Sequence, residues 1–208
     1  MSRLLTHRLA TAVSHLLNPA MVALGVFLGL GWFRGGAWEP ATVGVLFYSI
    51  IPGIVLLGLR HIGFIAQLYP EDRSQRSPLL LLGASCYLLG ILVLGLFGAP
   101  GIMLGAGAVF CGNALLVWRI NQRWKISIHA VGVSAGIAIL MSAGGVGLWP
   151  LVLFLPLVGW SRLALRSHSL GQVTSGAAVG GASTHLGLAL MRTLRSGDEY
   201  LTLLFTII

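Results

Sequence analysis

SPLLLLGASCYLLGILVLGLFGAPGIMLGAGAVFCGNALLVW, residues 77–118, contains no Asp, Glu, Lys or Arg. A helix needs ~20 mostly apolar residues to cross the hydrocarbon core of a bilayer, and this run supplies about two crossings. Near its middle, Gly98-Ala99-Pro100-Gly101 is a strong turn signal. The stretch reads as two membrane-spanning helices joined by a tight reversal. It sets the fold class as an all-α, polytopic membrane helical bundle.

Working outward, the rest of the chain repeats this pattern. Of the 208 residues 56% are hydrophobic and only 9% charged, with mean hydropathy +0.91. A soluble domain carries roughly 25% charged residues. The 29 glycines suit close helix packing in lipid. Residues 1–18 place Leu5, Leu9, Val13 and Leu16 on one helical face against Arg3, His7, Arg8 and Ser14, which reads as an amphipathic interfacial segment ended by Asn18-Pro19. No cleavable signal peptide is expected. Spans are then expected at about 19–33, at 41–59 with a kink at Pro52, twice in 77–118, and twice in 126–161 with a turn near Gly144-Gly145 and Gly147. A last one is expected at 170–191. That gives one transmembrane domain, 19–192, of six to seven transmembrane helices, and a C-terminal tail, 193–208.

Net charge is +8, but the cations lie between the apolar spans, so topology and an anionic ligand account for them and no nucleic-acid partner is expected. Alternation of the spans puts ten of the thirteen Lys and Arg residues on one side, leaving Arg34, Arg192 and Arg195 opposite. The positive-inside rule makes the richer side cytoplasmic, in a bacterial-type inner membrane. Cys86 and Cys111 fall inside apolar spans and read as packing residues.

Three polar segments emerge on that richer side: 71–78, 125–129 and 161–172. Arg73, Arg76 and Arg162 offer planar, permanently charged forks suited to phosphate oxygens, with Lys125 a further contact. Ser127 and His129 begin the fifth expected span and His168 the seventh, where helix N-termini favour an anion. Arg60, Arg119, Arg123 and Arg166 read as topology signals or headgroup contacts, and His7 and His15 as solvated ends. His185, beside Thr184, reads as a neutral hydrogen-bonded helix contact. Gly132/Gly136 and Gly176/Gly180 are spaced to pack the helices carrying His129 and His168 against each other.

These residues resemble the three motifs of the type 2 phosphatidic acid phosphatase and vanadium haloperoxidase superfamily, over about residues 60–190. Ser161-Arg162, five residues, then His168 is similar to the third motif in residue type and spacing. Gln172-Val173, Gly176 and Gly180 resemble its continuation in dolichyl-diphosphatase-like members. The second motif, usually proline-serine-glycine-histidine, reads Ile126-Ser127-Ile128-His129 here. The first has Arg73 where a lysine stands further upstream, and Ser77 before Pro78. The usual aspartate four residues after the last histidine is Gln172.

The resemblance implies a metal-independent lipid phosphatase core needing no cofactor. In it His168 is the nucleophile forming a phosphohistidine, Gln172 holds its second ring nitrogen, and His129 protonates the leaving oxygen. Arg73, Arg76, Ser127, Arg162 and Lys125 hold the phosphate oxygens. The expected partners are the bilayer and a lipid phosphate: a polyprenyl phosphate or diphosphate first, phosphatidic acid or phosphatidylglycerol-phosphate next. Small loops argue against a soluble phosphate ester or a haloperoxidase role. The rival class is an anionic-lipid binder or transporter that uses the same cations without hydrolysis.

Overall fold

The computed structural model describes residues 3–67 and 72–207, and the side chains of Arg3, Arg73 and residues 194–207 lie outside that description. Among the described residues every regular element is helical. Helix α1 (Arg3–Leu16) leads into α2 (Pro19–Phe33). Asn18 caps α2, its Oδ1 accepting from the Met21 amide at 2.9 Å, and Pro19 opens the helix where a missing N–H costs nothing. Helix α3 (Trp38–Val45) widens into a π-helical turn, Leu46–Ile50, and continues as α4 (Ile51–His61). The kink expected at Pro52 is taken up by this wide turn, because a proline neither donates to the carbonyl four residues back nor leaves it room.

Asp72 caps α5 (Arg73–Leu96), its Oδ1 accepting from the Ser74 amide at 2.9 Å. The turn expected at 98–101 then delivers α6 (Gly101–Asn121), and α5 and α6 form the most extensive helix pair. After a short loop comes α7 (Ile128–Gly144), then a 3₁₀ stretch, Val146–Leu153, running into α8 (Phe154–Ala164). Helix α9 continues unbroken from Leu170 to Ile207, through the stretch set apart in the sequence as a tail.

Four helical stretches are long and apolar enough to cross a membrane: Trp38–His61, Ser74–Leu96, Gly101–Asn121 and Val146–Ala164. The pair Leu4–Leu16 and Pro19–Phe33, bent by 49°, makes a fifth if it counts as one broken span. The sequence reading of six to seven counted every apolar run as a crossing. Helix α7 has only 17 residues and is buried along most of its length. Helix α9 begins with Gln172, Thr174 and Ser175 and meets Ser183, Thr184 and His185 within its next turns.

Aromatic rings fill the core. Tyr48, fully buried in the π-helical turn, stacks on Tyr87 at 4.8 Å and lies 4.8 Å from Phe27. Its hydroxyl donates to the Tyr87 carbonyl at 2.8 Å, so the buried oxygen is satisfied.

The contacts that position the candidate site lie elsewhere. Helix α9 presses on α7 through Gly176 and Gly180: a Cβ at Gly176 would sit 2.7 Å from the Ser127 carbonyl oxygen, and one at Gly180 would run into Val131 backbone and Ser134 Oγ. Half of the expected glycine packing is therefore present between these helices. Gly132 and Gly136 instead face Pro19 and Val22, letting α2 approach the other side of α7. Helix α1 lies on α8, with Ser161 Oγ donating to the Ala10 carbonyl at 2.7 Å. Ala10 and Ser14 are buried there while Leu5, Leu9 and Leu16 point outward, as an amphipathic helix at a lipid surface requires.

Candidate functional site

Helices α5, α7 and α8, with the segments flanking α7 and α8, each deliver a cation or imidazole to one cavity of about 670 Å³. Arg76 comes from the first turns of α5 and is only 6% exposed. Its Nη2 donates to the Ile126 carbonyl at 3.0 Å, while Nη1 is buried with no hydrogen-bond partner. Lys125 enters from the loop before α7, and His129 from the first turn of α7. Arg162 comes from the last turn of α8, is 8% exposed, and donates from Nη1 to Ser14 Oγ at 2.6 Å.

The chain then reverses to bring back His168. Arg166 adopts φ +52°, its amide donates to Leu163 O at 2.9 Å, and the Ser167 amide donates to Arg162 O at 3.1 Å. This paired reversal is the one glycine normally provides at a helix end. The reading of Arg166 as structural therefore gains a definite role, a left-handed turn. His168 follows at once and lines the cavity, and neither of its ring nitrogens makes a hydrogen bond of ordinary geometry. Burial, together with the nearby charges of Arg162, Lys125 and Arg76, pushes its pKa down to about 3. The imidazole is therefore neutral at physiological pH, the form that can attack an electrophile.

The rest of the cavity is mainly apolar, lined by Pro52, Ile54 and Leu57 of α4, Leu79 and Leu82 of α5, and Phe110 and Val117 of α6. Among the described residues no Asp or Glu lines it. Taking two guanidinium groups out of water costs several kcal/mol each, so a carboxylate-poor cavity holding both is built for an anion.

Five expected site residues thus meet: Arg76, Lys125, His129, Arg162 and His168. Two others are used differently. Gln172 does not hold the His168 ring. Its Oε1 accepts from the Ser169 amide at 3.1 Å, and its own amide donates to Ser169 Oγ at 3.3 Å, a reciprocal cap on the start of α9. The cap was readable as Ser169-x-x-Gln172, and a residue locked in it cannot also reach back to the loop. Ser127 is fully buried as the N-cap of α7, its Oγ accepting from the Ala130 amide at 3.4 Å and its amide donating to the Gln172 carbonyl at 3.2 Å. It ties α7 to α9 and does not line the cavity. The Arg73 side chain and Glu71 lie outside the described residues.

His15, read as a solvated end, also lines the cavity from an exposed position, and sequence reasoning missed two further contributors. Asn113 of α6 lines the cavity and is cross-linked to α9, accepting from Ser183 and donating to Thr184 Oγ1 at 3.3 Å. A lone Asn within an apolar run was the available signal, since a buried amide requires partners. Ser14 of α1 is the other, and the small residues Ala10 and Ser14 one turn apart were its signal. His185 bonds within its own helix, through Nδ1 to the Gly181 carbonyl at 3.0 Å, from an exposed position. No family model matches the chain, and neither a curated protein nor a solved structure matches it.

Proposed function

We propose that this chain is a multi-pass membrane phosphatase that removes phosphate from a lipid phosphate or diphosphate. One observation carries the reading: two buried arginines, a lysine and three histidines line a mainly apolar cavity that has no carboxylate among its described lining residues. A lipid with an anionic head and a hydrocarbon tail has that same division of chemistry. The order of the residues, similar to the three motifs of the type 2 phosphatidic acid phosphatase superfamily, supports it independently.

In the proposed reaction a ring nitrogen of neutral His168 attacks phosphorus, and the bond from phosphorus to the lipid oxygen breaks. His129 protonates that oxygen. Water then cleaves the phosphorus–nitrogen bond, giving a proton to His129 as it attacks, which releases inorganic phosphate and restores both histidines. Arg76, Arg162 and Lys125 stabilise the charge on the non-bridging oxygens. The preferred substrates are polyprenyl phosphates or diphosphates, ahead of phosphatidic acid and phosphatidylglycerol-phosphate. The site opens at the bilayer edge, on the cytoplasmic side of an inner membrane, in a bundle of six to seven crossings.

A specific observation favours a second reading, an anionic-lipid binder or transporter: Gln172 does not orient the His168 ring, because it is committed to its cap. Phosphate release from a panel of purified lipid phosphates in detergent separates the two. The wild type is expected to turn over, and His168→Ala to lose about 10⁴-fold or more while still binding lipid. Equal release by both proteins removes the enzyme reading. Orthovanadate is expected to inhibit and EDTA to leave the rate unchanged.

A further inference from the structure

The motif-bearing stretch begins near residue 60, yet a side chain from α1 meets two of the residues that line the cavity. Ser14 is 7% exposed. Its hydroxyl accepts from Arg162 Nη1 at 2.6 Å and lies 3.5 Å from His129 Nε2. We infer that Ser14 is a positioning residue of the site, holding the anion-binding guanidinium and the proton-donating imidazole in register through one oxygen. The inference rests on the lipid phosphatase reading of that site.

A serine oxygen has two lone pairs and one proton. With Arg162 on one lone pair, the second can receive Nε2–H of a protonated His129, and the hydroxyl proton can serve a neutral one. Either way the ring orientation is fixed by the group that fixes Arg162. The 3.5 Å separation is at the long end for a hydrogen bond. In the family the second motif resembles, a serine and a histidine come from one short segment. Here Ser127 of that segment is spent on capping α7, and the hydroxyl beside His129 comes from a helix 115 positions away.

A bland alternative is that Ser14 merely docks α1 on α8. Ser161 already performs that task, donating to the Ala10 carbonyl without touching Arg162 or His129 in any hydrogen bond the structure shows. The two roles are therefore separable by mutation. The measurement is the apparent Kd of orthovanadate for the full-length protein in detergent, read by thermal shift, together with kcat and KM on a polyprenyl phosphate. Ser14→Ala, which only removes an oxygen, is expected to weaken vanadate binding about 10–100-fold and to lower kcat by a similar factor, with KM changed less. Ser14→Thr, which keeps the hydroxyl, and Ser161→Ala, which loosens the docking alone, are both expected to stay within about threefold of wild type for vanadate.

Wild-type vanadate affinity in Ser14→Ala overturns the inference, and so does a Ser161→Ala protein as weak as Ser14→Ala. A wild type that binds vanadate but releases no phosphate from any lipid overturns the phosphatase reading while leaving Ser14 testable by affinity. A wild type that binds no vanadate overturns both.

Discussion

Four helix ends among the described residues reverse the chain with the same pair of hydrogen bonds, and those of α5 and α8 use opposite residues to do it. At the end of α5 the Gly98 amide donates to Gly95 O and the Ala99 amide to Leu94 O, each at 3.0 Å, with Gly98 at φ +60°. At the end of α8 the equivalent position is Arg166 at φ +52°. Glycine adopts that region without penalty, whereas a residue with a Cβ gives up about 1 kcal/mol or more. The first reversal leads straight into α6 at Pro100 and serves packing. The second places His168 in the cavity two residues before α9 begins at Leu170. Strain is tolerated where a residue of the proposed site is delivered and absent where only a hairpin is made.

The strongest way to break this comparison acts on the helices that follow the two turns. Gly180→Ala inserts a methyl into α7 backbone, so α7 and α9 must separate. The expected cost is about 1–3 kcal/mol of stability with more than a tenfold loss of phosphate release. Gly95→Ala, at the end of α5, meets nothing within 4 Å and is expected to be neutral or mildly stabilising, with full activity. Comparable damage from both would show that the two regions do not differ as argued.

A middle-sized effect concerns acid. His168 has a native pKa of about 3 against an ordinary value of 6.5, so between those values the unfolded chain binds a proton that the native one refuses. Stability must therefore fall as pH drops from 6.5 towards 3. Melting temperatures at pH 7 and pH 4.5 should drop more for wild type than for His168→Gln, and identical drops would contradict a buried neutral imidazole. The smallest effects are at the turns themselves. Arg166→Gly is expected to raise stability by about 0.5 kcal/mol with activity retained, and Gly98→Ala to lower it by about 1 kcal/mol, both read as melting-temperature shifts.

How far each region could be read in advance follows from the same contrast. The α5–α6 hairpin was legible because an uncharged run with Gly-Ala-Pro-Gly at its centre has one physical solution in a bilayer. Arg76, Lys125, His129, Arg162 and His168 could be grouped beforehand because their three polar segments alternate with apolar runs and so emerge on one side. Gln172 and Ser127 were misread for a common reason: polar residues at helix starts are in demand for capping, and local hydrogen bonds form more cheaply than distant ones. Four to five helical stretches are long and apolar enough to cross a membrane, because α7 has only 17 residues and lies against protein while polar residues interrupt the apolar run of α9. Ser14 stayed hidden because its neighbours in space are more than a hundred residues away in sequence.

That last separation has a bearing on biogenesis. The bond from Ser161 to Ala10 links positions 151 apart. At roughly 5–20 residues per second of translation, α1 waits on the order of ten to thirty seconds before the surface it needs has been synthesised. Its outward leucines give it somewhere to rest, on the membrane face, until then. The cation-rich chamber consequently acquires its full complement of side chains only when the last quarter of the chain has been made, so a nascent or truncated form would carry the basic groups without the means to use them.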